Sequence, residues 1–234
     1  MEQNELIALG LRLVQAHAVG AASLDEFSLL GRDWTQLPEV FAPHLTGSTE
    51  FFSTHLPYPV GGSLLEVGSG TGVTAVTAAL SGCARVVAVD ISPAAVCNSL
   101  LNAECHRVSD RVRVLESDLF GALAPDERFD AIFWNSNVIY TPAGFAGSGP
   151  GDLHGAVFDP GYVLHGRYLR EGPDHLAQGG RLLLGFNSLG DTPRLTDLAS
   201  GQGLRMNCLA SAARHSGGTP VEFRLLEFVP RGEG

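Results

Sequence analysis

The sequence predicts an α/β fold in which a mostly parallel sheet of seven strands carries helices on both faces and closes with a carboxyl-terminal antiparallel hairpin. Three observations predict it. Residues 64–67 form an apolar run that breaks at Gly68, Gly70 and Gly72 and passes directly into the helical pattern of residues 73–80, so strand, tight loop and helix follow one another. Further apolar runs at residues 85–90, 111–115, 129–134 and 181–186 alternate with helical patterns, as βα units around a parallel sheet require. Residues 203–210 and 221–229 then read as two strands with a Gly-Gly-Thr-Pro turn between them, which makes an antiparallel pair.

Composition bounds the class. A chain of 234 residues buries a core without disulfides or metal, and 44% apolar with 17% charged residues is the composition of a compact protein rather than a disordered one. No apolar run approaches the roughly 20 residues of a membrane span, and the amino terminus lacks a basic segment followed by an apolar one, so no membrane partner and a cytoplasmic location are expected. The net charge of −10, with 15 basic residues and no basic cluster, disfavours a nucleic-acid partner, whose phosphates take most of their binding energy from Lys and Arg. Cys83, Cys97, Cys105 and Cys208 show no C-x-x-C spacing and are expected to act as small buried hydrophobes.

In chain order, residues 1–36 are expected to be an amino-terminal helical extension, with Leu6, Leu9 and Leu13 at helical spacing, before a main domain of residues 37–234. As a lid over the site or as a packing element, the extension fits equally well. The turn-rich residues 37–49 and a short helix at 50–55 precede the first strand, and Phe41, Thr46 and Thr49 are candidates to cover a ligand. The glycine loop is the centre of the site. Gly68, Ser69, Gly70, Thr71 and Gly72 allow a sharp turn and a close backbone approach to a ligand. Its spacing is E-x-G-x-G-x-G, unlike the G-x-G-x-x-G of dinucleotide folds, and Glu66 at the strand end would repel a pyrophosphate and suit a cationic group. This points to S-adenosyl-L-methionine rather than a nicotinamide cofactor.

Asp90 closes the second strand at the edge where open α/β sheets bind ligands, where a carboxylate can accept both ribose hydroxyls, with Ile91 beside it. Ser92 before Pro93 is the better cap for the following helix. After the third strand, Asp118 can accept from an adenine amine while Leu119 and Phe120 supply apolar surface. The fourth strand runs into Asn135, Ser136, Asn137 and Tyr140. An Asn carbonyl there can accept from an amine and aim its lone pair at a methyl group; the plain alternative is that both Asn residues only build a turn. The glycine-rich residues 143–161, with Gly144, Gly147, Gly149, Gly151 and Gly155, read as a substrate-covering loop. Asp152, His154, Asp159 and His165 lack a tight ligand spacing, so no metal is expected.

Taken in order, the glycine loop, Asp90, Asp118 and the Asn-bearing fourth strand resemble the class I S-adenosylmethionine-dependent methyltransferases, whose fold is Rossmann-like. Residues 129–140 resemble the amino-methylating group that ends this strand in Asn-Pro-Pro-Tyr and includes release-factor glutamine methyltransferases. Asp159-Pro160-Gly161 and Gly179-Gly180-Arg181-Leu182-Leu183 continue the likeness. Asn135 matches the motif, whereas Ser136, Asn137 and Val138 replace Pro, Pro and Tyr, leaving Tyr140 to substitute for the aromatic. The resemblance implies a methyltransferase in which Glu66 and the glycine loop hold the methionine part of the cofactor, Asp90 the ribose, and Asp118 with Leu119 the adenine. Asn135 and Tyr140 would be catalytic, and Asn137, Tyr140, His154 and Asp159 would face the substrate. The expected acceptor is the nitrogen of a small metabolite or an amino-acid-like molecule. The alternatives are an oxygen or carbon acceptor with His154 or Asp159 as base, a protein glutamine, and a cofactor-binding subunit without catalysis.

Overall fold

The structure, a computed structural model, describes residues 2–20, 25–145, 151–216 and 219–231. Helix α1 spans Gln3–Gly20 and is followed by a hairpin of strands β1, Asp25–Leu29, and β2, Arg32–Gln36. Residues 1–36 are therefore helical only in their first part. Leu30 and Gly31 both take a positive φ, the geometry of a two-residue hairpin turn, and Phe27 faces Trp34 across the pair with both rings buried. A period-two pattern of five-residue strands is too short to stand out beside the helical spacing before it.

A 3-10 turn at Pro43–Leu45 leads into α2, Ser48–His55. The alternating core then begins with β3, Ser63–Val67, α3, Val73–Leu80, β4, Arg85–Asp90, α4, Pro93–Cys105, and β5, Val112–Glu116. Next come β6, Phe129–Asn135, β7, Ile139–Thr141, α5, Gly151–Gly155, β8, Phe158–Pro160, and α6, Val163–Glu171. A 3-10 turn at Gly172–His175, β9, Leu176–Asn187, α7, Thr192–Gly201, β10, Leu204–Ser216, and β11, Thr219–Pro230, complete the chain.

The sheet has seven strands in the order β10-β11-β9-β6-β3-β4-β5, parallel from β9 to β5 and antiparallel at β9, β11 and β10. Its central strands are nearly continuous apolar runs because helices cover both faces; Leu64, Leu65, Val86, Val87, Ile132 and Phe133 are all buried. From β3 the chain winds outward through β4 to β5 and then returns to β6 on the other side of β3. The carboxyl ends of β3 and β6 thus flank the point where the winding reverses, where such sheets bind ligands.

Two features depart from the sequence pattern. Within residues 143–161, β8 pairs in parallel with β7 and α5 lies between them, so this stretch is a small second ribbon rather than one open loop. Strands of three residues carry no readable periodicity. Gly147 and Gly149 of that stretch, and Gly217 and Gly218 of the final turn, lie outside the described residues. Cys83 is buried as expected, whereas Cys97, Cys105 and Cys208 are exposed.

Candidate active site

Gly68, Gly70 and Gly72 all have positive φ, between 53° and 79°, which turns the chain sharply from β3 into α3. A Cβ on Gly72 would lie 2.8 Å from the Ser99 Cα, so the third glycine is required by packing against α4. Helix α4 also braces the loop by polar contacts. Ser99 Oγ donates to Ser69 Oγ at 2.9 Å, and Asn102 Nδ2 donates to the carbonyls of Thr71 and Thr35, each at 2.8 Å. With Asn98 donating to Thr35 and accepting from Leu37, the amides on α4 tie β2, the following loop and the glycine loop together. Sequence reasoning missed Asn98, Ser99 and Asn102; their signal is three polar residues on one face of a helix that is otherwise packed inward.

Glu66 is buried at the end of β3, where the Thr74 hydroxyl and the Ala75 N–H reach its carboxylate. The side chain therefore occupies the amino terminus of α3, the place a dinucleotide fold leaves open for phosphate. Its Oε2 is buried without a hydrogen-bond partner among the described residues. Burial pushes the carboxyl up from 4.5 to about 8, and the Asp90 charge adds to the rise. A ligand cation at Oε2 would reverse this by favouring the ionised form. At the end of β4, Asp90 Oδ2 accepts the Gly70 N–H at 2.8 Å and Oδ1 accepts the Ser92 N–H at 3.0 Å, while Ser92 caps α4.

Glu66, Gly68, Ser69, Gly70, Thr71, Asp90, Ile91, Asp118, Leu119, Asn135 and Asn137 line one cavity of about 430 Å³, whereas Gly72, expected to bind the cofactor, is turned against Ser99 of α4 and does not line it. That volume is typical of a small-molecule site, roughly 300–1,000 Å³. Phe41, Thr46 and Thr49 also line it, as does Leu13 of α1, so the amino-terminal helix contributes to the wall. His17 anchors that helix. Its ring stacks on Phe41 at 3.7 Å, and its Nδ1 accepts the Ala42 N–H at 3.1 Å. Burial, with His44 nearby, depresses the His17 imidazole from 6.5 to about 4. Trp134, another wall residue that sequence reasoning passed over, is the nearest neighbour of a Cβ built on Gly68, at 3.3 Å.

Asp118, expected to meet an adenine amine, is already engaged within the chain. Both Asp118 oxygens accept from Arg167 Nη1, at 2.9 and 2.8 Å, so an adenine amine would have to share this carboxylate. Leu119 beside it is buried in a left-handed backbone conformation.

At the other end of the cavity stand Asn135, Ser136 and Asn137. Asn135 Nδ2 lies 3.5 Å from Ser48 Oγ, while Asn137 Nδ2 donates to the Phe158 carbonyl at 2.8 Å, and Asn137 Oδ1 is buried without a partner. Three expected substrate-facing residues are absent from this wall. Tyr140 packs edge-on against Tyr162 with Arg194 4.2 Å above its ring, because alternation along β7 turns Ile139 and not Tyr140 into the cavity. The His154 ring stacks against Phe158 with both nitrogens buried and unpartnered. Asp159 is fully buried under α6, where it accepts the Leu164 and His165 N–H groups. Neither residue can serve as a base in direct contact with substrate. No cluster of metal-ligating side chains occurs among the described residues.

Residues 58–141, from the approach to β3 through β7, match the family model of ribosomal protein L11 methyltransferase, PrmA. Over 137 residues the chain is 34% identical to a release factor glutamine methyltransferase of Rhodopirellula baltica, covering 52% of this chain and 43% of that protein. These matches bear out the resemblance to the class I S-adenosylmethionine-dependent methyltransferases. Against a ribosomal protein L11 methyltransferase of Pelotomaculum thermopropionicum it is 48% identical over 59 residues, 25% of this chain and 19% of that one. The fold of this chain also superposes on the ribosomal protein L11 methylase of Lactobacillus delbrueckii subsp. bulgaricus with a TM-score of 0.58 at 15% identity, over 82% of this chain and 81% of that one, a likeness of fold alone. The chain spans less than half the length of these two curated relatives. Both relatives are named for protein acceptors, a ribosomal protein and a release-factor glutamine, which overturns the small-molecule acceptor expected from the sequence. No helix among the described residues is long and apolar enough to cross a membrane.

Proposed function

We infer that this chain transfers a methyl group from S-adenosyl-L-methionine to a side-chain nitrogen of a protein, with a glutamine amide as the acceptor the site fits best. The observation that carries the reading is that Glu66 and Asn137, each with a buried oxygen that has no partner among the described residues, line the same cavity. The first suits the ammonium group of a methionine moiety. The second suits one N–H of a primary amide, with Asn135 beside it in the wall to orient the group. The relative's glutamine acceptor supports the same choice. A net charge of −10 also suits a basic polypeptide partner.

The cofactor supplies the activated methyl group, and the chain supplies binding and orientation. Glu66 holds the ammonium, Gly68, Ser69, Gly70, Thr71 and Gly72 let the backbone approach, Asp90 receives the ribose hydroxyls, and Ile91 and Leu119 flank the adenine with Asp118 at its amine. Asn135 and Asn137 fix the acceptor nitrogen in line with the methyl group, where positioning accounts for much of the rate. The chain incubated with labelled cofactor and either ribosomal protein L11 or a release factor should place label on one glutamine or amino group. In Asn135→Ala, turnover should fall about 100-fold or more while cofactor affinity holds, because misplacing the nucleophile by an ångström costs on that order. Absence of label on any polypeptide, or full turnover in Asn135→Ala, would contradict the reading.

A further inference from the structure

A buried chain of polar groups runs behind the acceptor end of the cavity. Asp159 and His165 are both fully buried. Asp159 Oδ1 accepts the Leu164 N–H at 3.1 Å, and Oδ2 accepts the His165 N–H at 3.0 Å and faces His165 Nδ1 at 2.7 Å. With a backbone donor on each oxygen, the carboxylate is the acceptor and Nδ1 the donor, which leaves the opposite nitrogen to face the cavity side. His165 Nε2 lies 3.1 Å from Ser136 Oγ. That hydroxyl has a second acceptor, the Gly185 carbonyl, at 2.9 Å. The same carbonyl also accepts the Ser136 N–H at 3.1 Å.

The hydroxyl hydrogen thus has two resting places. With a neutral imidazole it points to Nε2, and Gly185 O keeps the Ser136 N–H. With an imidazolium, Nε2–H donates to Oγ and the hydroxyl turns to Gly185 O. Each state pairs every polar group in the chain of contacts, so a proton can be taken up by rotating one O–H bond while all heavy atoms stay in place. Ser136 stands in the cavity wall between Asn135 and Asn137.

We propose that Ser136, His165 and Asp159 form a proton relay that removes the hydrogen of the acceptor nitrogen, Ser136 being the catalytic residue and His165 and Asp159 positioning residues behind it. The proposal rests on the amide-acceptor reading above and names what that reading lacks. An amide nitrogen has its lone pair delocalised into the carbonyl, and it becomes nucleophilic as its proton is drawn away. As the nitrogen–carbon bond forms and the sulfur–methyl bond breaks, the nitrogen's hydrogen passes to Ser136 Oγ and the Ser136 hydrogen passes to His165 Nε2. The positive charge that leaves sulfur reappears on the imidazolium beside Asp159 and is later lost to solvent as a proton. A nucleophilic role for Ser136 is the poorer fit. Such a serine needs N–H donors for a developing oxyanion, and the group beside Oγ is the Gly185 carbonyl.

The remaining groups around the imidazole are rings: Tyr162 at 4.5 Å, Trp134 at 4.9 Å and Phe186 at 5.9 Å. Tyr162 donates its hydroxyl to the Val138 carbonyl at 2.6 Å, and burial raises its own titration further. Among the described residues, Asp159 is thus the charged group in contact with His165.

Nitrogen-15 NMR of the full chain with S-adenosylhomocysteine bound should show His165 neutral, protonated on Nδ1, with an Nε2 resonance that moves in Ser136→Ala when its hydroxyl donor is lost. On a methylated polypeptide, Ser136→Ala and His165→Gln should slow single-turnover transfer about 100-fold, the lower range for general base catalysis. S-adenosylhomocysteine affinity should stay unchanged, and Ser136→Thr, which restores the hydroxyl, should recover most of the rate. Should His165→Gln fail to fold, Ser136→Ala decides, since it removes one oxygen. A proton on Nε2 in the resting wild-type chain, or full-rate transfer in Ser136→Ala, would overturn the relay. If the wild-type chain modifies no polypeptide, the amide reading falls, and the NMR tautomer still decides whether the relay exists.

Discussion

The two ends of the cavity differ in how far the chain must travel to build them. At the end proposed to hold the donor, Glu66, the glycine loop, Asp90 and Asp118 come from three successive strand exits along one sheet edge, where local turns and caps are braced by α4 and, at Asp118, by Arg167. At the acceptor end, Asn137 is held by Phe158, Ser136 by His165 and by Gly185, and the wall is completed by Leu13 of α1. A donor site common to many acceptors can be carried by a short, self-contained motif, whereas an acceptor site is shaped by whatever the later chain packs against it. The comparison predicts that damage at the donor end is local and severe, and that damage at the acceptor end is spread over long-range contacts.

The largest effect is expected at Gly72. Alanine there combines a left-handed backbone with a Cβ driven into the Ser99 backbone, 2.8 Å away. The cost should be about 2–4 kcal/mol, from the left-handed penalty and overpacking together, read as a fall in the urea midpoint. Gly70→Ala tests the contrast, because a Cβ there meets nothing within 4 Å. Its stability loss should be smaller, about 1–2 kcal/mol from the backbone alone, while cofactor binding suffers in both variants. Equal stability losses would show that α4 packing does not set the loop.

The next effect is on pH dependence at Glu66. Its folded-state value stands above the ordinary one, so its contribution to stability in the ligand-free chain is full below about 4.5 and is lost as pH rises through about 8. Glu66→Gln should flatten that window in thermal melts. A ligand ammonium at Oε2 favours the ionised form, so S-adenosylhomocysteine binding near neutral pH should release a proton. Calorimetry in buffers of different ionisation enthalpy reads that release, and binding without it in the wild-type chain would argue against the ammonium contact.

The smallest effect belongs to the acceptor-end wall. His17 is depressed to about 4, so its neutral form is the folded one: the stability it contributes is present above 6.5 and declines as pH falls towards 4. Protection of the Ala42 amide, which donates to His17 Nδ1, should fall over that range before global unfolding once exchange is corrected for its intrinsic pH dependence. Unaltered exchange there would show that α1 is fastened elsewhere.

The sequence made the strand, helix and cap positions around the glycine loop legible because their requirements are local. Helices α3 and α4 and strand β4 lie where the periodicity put them, and the Ser92 cap follows from Ser before Pro. The hairpin of β1 and β2 and the ribbon of β7 and β8 were hidden, since strands of three to five residues give too few alternations to read. Tyr140 shows the limit at a single residue. It sits close in sequence to Asn137, yet strand alternation and the Tyr162 ring take its side chain away from the cavity.

What the sequence determined by itself is the strand-loop-helix cradle and the acids in register with it, because a glycine turn, a strand end and a helix cap each depend on a few neighbouring residues. Only the tertiary structure decided that Glu66 is left with an unpartnered oxygen, that Asp118 is shared with Arg167, and that Ser136 meets a histidine 29 positions later. Those outcomes depend on which groups burial brings together and which hydrogen bonds remain to be made there. No local periodicity records either.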